Sequence, residues 1–185
     1  MDAETGKELL VQDKPVTAET TFKAKKSSGS AKVKFTFDAS SLAGKTIVVF
    51  ETLYQDDLKL AVHADLEDQD QTIYFPEIGT LVKDSDTGAQ HSCADKEVTL
   101  VDTVSYSNLL VGEKYTLTGT LMDSETGKEL EIDRKPCNGS QPILHSEESS
   151  GTAEVKFTFD ASSLAGKTVV VFESLIYDGN EICSH

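Results

Sequence analysis

At 185 residues the chain can hold one large domain or two small ones, and 38% apolar residues are enough for a packed core, which excludes wholesale disorder. Thirty-two acidic against seventeen basic side chains give a net charge of −15, a balance that repels nucleic acid phosphates and anionic lipid heads. No apolar run approaches the roughly eighteen residues of a membrane span. The N-terminal residues lack the basic-then-apolar order of a signal peptide, and Cys93, Cys137 and Cys183 offer neither a disulfide framework nor a C-x-x-C zinc pair.

In chain order, an Asp-x-x-Thr-Gly turn at 2–6 precedes a variable stretch, 16–26, that reads as a loop. Val33, Phe35 and Phe37 alternate and predict a strand. Asp38 to Leu42 has room for one helical turn, and Leu-Ala-Gly at 42–44 for a tight one. The run Ile47–Phe50 predicts a strand buried on both sides. Gln71, Ile73 and Phe75 share a face, and Pro76 suits a break in pairing. Ile78, Thr80 and Val82 share the next face, followed by Val98, Leu100, Val104 and Tyr106, then Tyr115, Leu117 and Leu121. A second Asp-x-x-Thr-Gly at 123–127 leads to another loop-like stretch, 137–148, in which Asn138-Gly-Ser140 reads as a turn. Val155, Phe157 and Phe159, then Val169–Phe172, close the series. Short strands with frequent turns predict an all-β sandwich.

The second half repeats the first. Residues 1–15 match 122–136 at 10 of 15 positions, and 27–63 match 149–185 at 25 of 37. The offset shifts from 121 to 122 across the loop-like stretches. A boundary at Pro76 and Glu77 gives 1–76 as the C-terminal part of one repeat and 77–185 as the N-terminal part of the next, so a piece of a longer array is expected.

Polar residues interrupt the inward faces. Asp102 sits between Leu100 and Val104, and Glu51 and its repeat equivalent Glu173 lie among β-branched and aromatic neighbours. A carboxylate there must find donors or keep its proton. His63 and His185 end the segment after each glutamate. Taken alone, these residues read first as ordinary hydrogen-bonded strand positions, with a reactive site the lesser alternative.

The strings IGTLVKD (78–84), VTLVDTVSYSNLLVGEKYTLTGTLMDSETGKEL (98–130), FTFDASSLAGKTVVVFE (157–173) and HADLEDQDQT (63–72) resemble the VaFE repeats of Gram-positive surface-anchored proteins and the ester-bond-forming immunoglobulin-like domains of adhesin shafts. The resemblance covers nearly the whole chain. It implies immunoglobulin-like sandwiches in tandem, in which a first-strand threonine and a last-strand glutamine become joined by an autocatalytic intramolecular ester with loss of ammonia. By position it assigns the cross-link to Thr80 and Gln71 and the supporting roles to Asp102, Glu173 and His185, with Glu51 and His63 as repeat copies. It implies an extracellular, cell-wall-anchored protein whose partners are neighbouring repeats, with any host or matrix ligand bound by other domains. It calls for no cofactor, metal, nucleic acid or membrane insertion, and for self-modification without turnover.

Thr80 and Gln71 fall in different repeats. Only eight residues lie between them, fewer than a parallel crossover needs, so no ester is expected within one chain. Four rivals have sequence handles. A lysine–asparagine isopeptide would use Lys83, though no asparagine occurs between Glu51 and Glu77. A hydrolytic site would use the same Thr, His, Asp and Glu, but without a nucleophile elbow. Zinc would need His91 with Cys93 and Cys183 with His185, and ligand capture would need the sandwich loops.

Overall fold

In the computed structural model, which describes residues 1–185 apart from the side chains of 140–145, the chain forms two compact units, Met1–Phe75 and Pro76–His185. Unit 1 carries β1 (Leu10–Val11), β2 (Lys14–Pro15), β3 (Thr46–Val48), β4 (Glu51–Gln55), β5 (Leu58–His63), a 3-10 turn at Gln69–Gln71, and β6 (Thr72–Tyr74). Unit 2 carries β7 (Glu77–Asp84), β8 (Val98–Ser107), β9 (Lys114–Asp123), β10 (Lys128–Glu129), β11 (Glu131–Ile132), β12 (Lys135–Pro136), β13 (Asn138–His145), β14 (Gly151–Phe159), β15 (Val169–Tyr177) and β16 (Asn180–Ser184).

Unit 2 is an immunoglobulin-like sandwich of two antiparallel sheets. One has the order β14-β8-β7, and in the other β9 pairs β15, β15 pairs β16, and β13 and β10 share the far edge of β9. The expected alternation builds the core: Val98, Leu100 and Val104 from β8, Tyr115, Leu117 and Leu121 from β9, Val155 and Phe157 from β14, and Val171 and Leu175 from β15 are all buried. Each such side chain contributes about 1.5–3 kcal/mol of burial free energy.

Unit 1 repeats the local elements of unit 2. The β1–β2 hairpin turns through Gln12 and Asp13, and β11–β12 through Asp133 and Arg134, all four with positive φ, the conformation of the two-residue hairpin turn whose twist matches the strands. A bridge from Asp2 to Ile47 stands where Asp123 pairs Val169 in unit 2. The longer-range partners differ. Residues 98–107 and most of 114–123 have no counterpart in unit 1, and these are the strands that β14 and β15 pair with in unit 2.

Several expectations are corrected on that ground. Val33, Phe35 and Phe37 form no strand, while their copies form β14, because a strand needs a partner for its backbone groups. The run Ile47–Phe50 does not extend unbroken: β3 stops at Val48 and β4 starts at Glu51, whereas the copy β15 is continuous against β9. The stretch 137–148 is not simply a loop, since Asn138–His145 lies as β13 along the free edge of β9; Asn138, Gly139 and Ser140 are therefore strand, not turn. Asp38–Leu42 makes a turn closed by the Leu42 N–H on the Ala39 carbonyl at 2.9 Å, short of a helix.

The same sequence position thus has two burials: Leu175 is fully buried and its copy Leu53 is 43% exposed. Leu175→Ala is expected to cost about 2–5 kcal/mol, against under about 1 kcal/mol for Leu53→Ala, as measured by urea denaturation.

Candidate functional site

The site of unit 2 forms where an edge of each sheet meets the core. Thr80 lies on β7, on the face it shares with Ile78 and Val82. Asp102 on β8 stands opposite Val82 on one side and Val155 on the other. Glu173 on β15 is paired with His185 through two backbone hydrogen bonds: the Glu173 N–H donates to the His185 carbonyl at 3.1 Å, and the His185 N–H donates to the Glu173 carbonyl at 2.9 Å. Thr80 Oγ1 lies 3.4 Å from His185 Nδ1. These four residues from β7, β8, β15 and the end of β16 are the four that the sequence assigned to the second repeat.

Asp102 and Glu173 have no solvent exposure, and with both written as carboxylates no full hydrogen bond from outside the pair reaches their oxygens among the described residues, only the weaker pull of the Leu81 backbone N–H on Asp102. Two such anions side by side are untenable in a dry core, and a proton on one resolves the conflict. Burial, then the charge of Asp102, then a hydrogen bond to it, push Glu173 from 4.5 up to about 8. Asp102 is also raised, chiefly by burial, against the opposing pulls of the Glu173 carboxyl, the Leu81 backbone N–H and the His185 imidazole. At neutral pH Glu173 is therefore the protonated partner and donates to Asp102, and the pair titrates as a unit.

Two glycines make the space. Gly119 stands opposite Glu173 across β9, and a Cβ there would lie within 3 Å of both the Glu173 Cδ and the Phe157 ring. Gly139, opposite Gly119 on β13, would meet Val155 and the Phe157 ring at 2.7 and 2.9 Å. The Phe157 ring and the Glu173 carboxyl thus occupy a trough that only glycine leaves open. Sequence reasoning passed over Gly119. The signal was a glycine interrupting the inward series Tyr115, Leu117, Leu121.

Unit 1 holds the other residues. Glu51 pairs His63 in the β4–β5 ladder, as Glu173 pairs His185. The Val49 N–H donates to the Gln71 carbonyl at 2.9 Å, which sets Gln71 in the row next to Glu51. His63 Nε2 lies 2.9 Å from Asp68 Oδ2. The expectation that Glu51 occupies an inward slot is corrected: Glu51 is exposed, because the sheet that covers Glu173 has no equivalent here. Thr80 and Gln71 lie in different units.

The rivals fare as follows. Lys83 is exposed and, by the two-residue alternation, lies on the face of β7 opposite to Thr80. Cys93 is exposed, and burial raises the Cys183 thiol to about 11. Among the described residues no group of three or more metal-ligating side chains converges.

The raised carboxyl has a signed consequence. Folded Glu173 keeps its proton up to about 8 and the unfolded chain releases it near 4.5, so between these values the folded state binds more protons. Raising the pH through that window is expected to lower the stability of unit 2; in Glu173→Gln the slope should vanish, as read by denaturation at stepped pH. Gly119→Ala is expected to destabilise by about 1–3 kcal/mol and to bring Glu173 closer to its ordinary titration, read by carboxyl carbon NMR.

Among solved structures, the chain is similar to a bacterial adhesin from Mobiluncus mulieris containing intramolecular disulfide, isopeptide and ester bond cross-links. Identity is 16%, the TM-score is 0.42, and the match covers 59% of this chain and 48% of that one. It is also similar to a putative β-galactosidase from Bacteroides fragilis at 18% identity and TM-score 0.43, over 58% of this chain and 15% of that one. The chain thus spans about half the length of the adhesin structure and much less of the galactosidase. No curated protein matches it. The model of the T-Q ester bond containing domain matches residues 1–75 and again 76–185. With both units matched, the chain belongs to the T-Q ester bond containing domain family.

Proposed function

We propose that the chain is a piece of a cell-surface adhesin shaft whose repeats are each locked by a Thr–Gln ester. The observation that carries this reading is the threonine hydroxyl beside an imidazole, 3.4 Å away, in a unit whose buried carboxyl pair shares a proton. A threonine hydroxyl is a weak nucleophile and a carboxamide a weak electrophile, so the reaction needs both a base and an acid. His185, with Nδ1 unprotonated, accepts the Thr80 proton. Glu173 lends its proton to the carboxamide oxygen and Asp102 holds that proton in place. The Thr80 oxygen bonds to the glutamine Cδ, the Cδ–N bond breaks, and the proton taken from the hydroxyl leaves with ammonia. The Thr80–His185 contact is exposed in this chain, so in the reading proposed the glutamine strand itself covers the ester and keeps water from it.

Each site reacts once, so the protein modifies itself and does not act as an enzyme on other substrates. The link would carry tension between the terminal strands without unzipping the sheets. In this reading neighbouring repeats are the partners of each unit, host or matrix ligands belong to other domains, and the parent protein is anchored at the cell wall. The acidic surface, with a net charge of −15, agrees with a repeat that avoids nucleic acid and anionic lipid.

Appending a second copy of residues 64–76 after His185 supplies unit 2 with a glutamine strand. Intact mass is expected to fall by one ammonia, and by none in the same chain carrying Thr80→Ala. A folded, extended chain at full mass would refute the ester.

A further inference from the structure

The one stretch of the chain rich in positive charge lies in unit 1. Between Glu19 and Asp38 there are five lysines, Lys23, Lys25, Lys26, Lys32 and Lys34, and no acid. Outside it, twelve basic side chains stand against thirty-two acidic ones. All five lysines are exposed, and among the described residues none of them is in an ion pair. A run of like charge held clear of the acids of its own chain keeps its field for a partner.

Unit 2 carries the opposite sign at the equivalent positions. Lys25 and Lys26 immediately precede the matched block 27–63, as Glu147 and Glu148 precede its copy 149–185, and within the block Lys32 corresponds to Glu154. Glu147 and Glu148 lie in the bend before β14 and Glu154 on β14 itself, all three exposed. Lys156 Nζ lies 3.4 Å from Glu154 Oε2, with both side chains more than half exposed. Glu147 and Glu148 have no ion-pair partner among the described residues. Exposure at these positions holds in both units, although the segment is irregular in unit 1 and a paired strand in unit 2. Three reversals at neighbouring positions of an otherwise similar sequence give two surfaces of complementary charge.

We propose that the lysine stretch of unit 1 docks on the Glu147, Glu148 and Glu154 surface of unit 2 in a second copy of the chain, so that copies associate side by side, staggered by one repeat. The whole-chain charge of −15 opposes any approach. At physiological ionic strength, however, charges further apart than about 8 Å are screened, so the facing side chains decide the sign of a close contact. An exposed ion pair is weak alone. A chain with more repeats would multiply the contact, and the association needs no ester. A long polyanion fits less well, because beyond the lysine stretch it meets the acids of the remaining surface.

The test is sedimentation equilibrium of the 185-residue chain up to millimolar concentration. In about 0.15 M salt the weight-average mass is expected to rise with concentration, and in about 0.5 M salt to stay at that of the monomer. The triple variants Lys25→Glu, Lys26→Glu, Lys32→Glu and Glu147→Lys, Glu148→Lys, Glu154→Lys should each weaken association about tenfold or more. A chain with all six substitutions keeps the net charge of −15 and should associate as the wild type does, which also shows that the substitutions leave the fold intact. A monomer under every condition would overturn the proposal, as would association indifferent to salt or to the lysine set. A six-fold variant that is folded by circular dichroism yet monomeric counts against it equally. Loss with the lysine set but not with the glutamate set would put the partner surface elsewhere and sink it as well. Binding of inorganic polyphosphate by a chain that does not self-associate would do the same, since the stretch would then serve a polyanion.

Discussion

The proton shared between Asp102 and Glu173 is the constraint on which unit 2 is built. A sandwich core tolerates two carboxyl groups only if they largely neutralise each other's demand for a donor, and here the Leu81 backbone N–H and the His185 imidazole act on Asp102 without forming a full hydrogen bond. Strand register brings the pair together: β8 and β15 belong to different sheets, so their inward side chains meet across the core. Gly119 and Gly139 withhold side chains where the Glu173 carboxyl and the Phe157 ring need room. A core free of these acids would be easier to fold, and the polar pair is retained at a cost that stability alone does not explain.

The two units show how far one local sequence depends on its partners. Glu51 and Glu173 close nearly the same strand motif and pair their histidines in the same register, yet one is exposed and the other has no contact with water. Val33, Phe35 and Phe37 have the alternation of a strand and remain irregular, while their copies pair with β8 over nine residues. Period and propensity define what a segment is able to become. Backbone partners decide whether it does.

That distinction also separates what could be read in the sequence from what could not. Alternation located β7, β8, β9, β14 and β15, and the motif resemblance picked out the residues that gather at Thr80. The inward break at Asp102 was visible because an acid stood in an apolar series. The conflict between Asp102 and Glu173 was visible as a principle, but its geometry needed the packing of two sheets. Gly119 was missed because a gap in the series Tyr115, Leu117, Leu121 does not say which side chain from another strand fills it. The pairing of Asn138–His145 with β9 was missed because its polar composition reads as loop, and only the free edge of β9 makes a strand of it.

The Asp-x-x-Thr-Gly turns have a different relation to acid. The structure contains three, at 2–6, 84–88 and 123–127, each ending on a glycine with φ between 64° and 67°. Asp2 accepts from the Thr5 hydroxyl and N–H, Asp84 from Ser92 and the Thr87 and Asp86 N–H groups, and Asp123 from the Thr126 and Glu125 N–H groups. These bonds to the ionised form hold all three carboxyls below their ordinary value. Burial raises the Asp102–Glu173 pair and hydrogen bonds lower the turn aspartates, so the two groups of acids are shifted in opposite directions. The bends between strands thus keep their charged clasps below the pH at which an aspartate without such bonds takes up its proton.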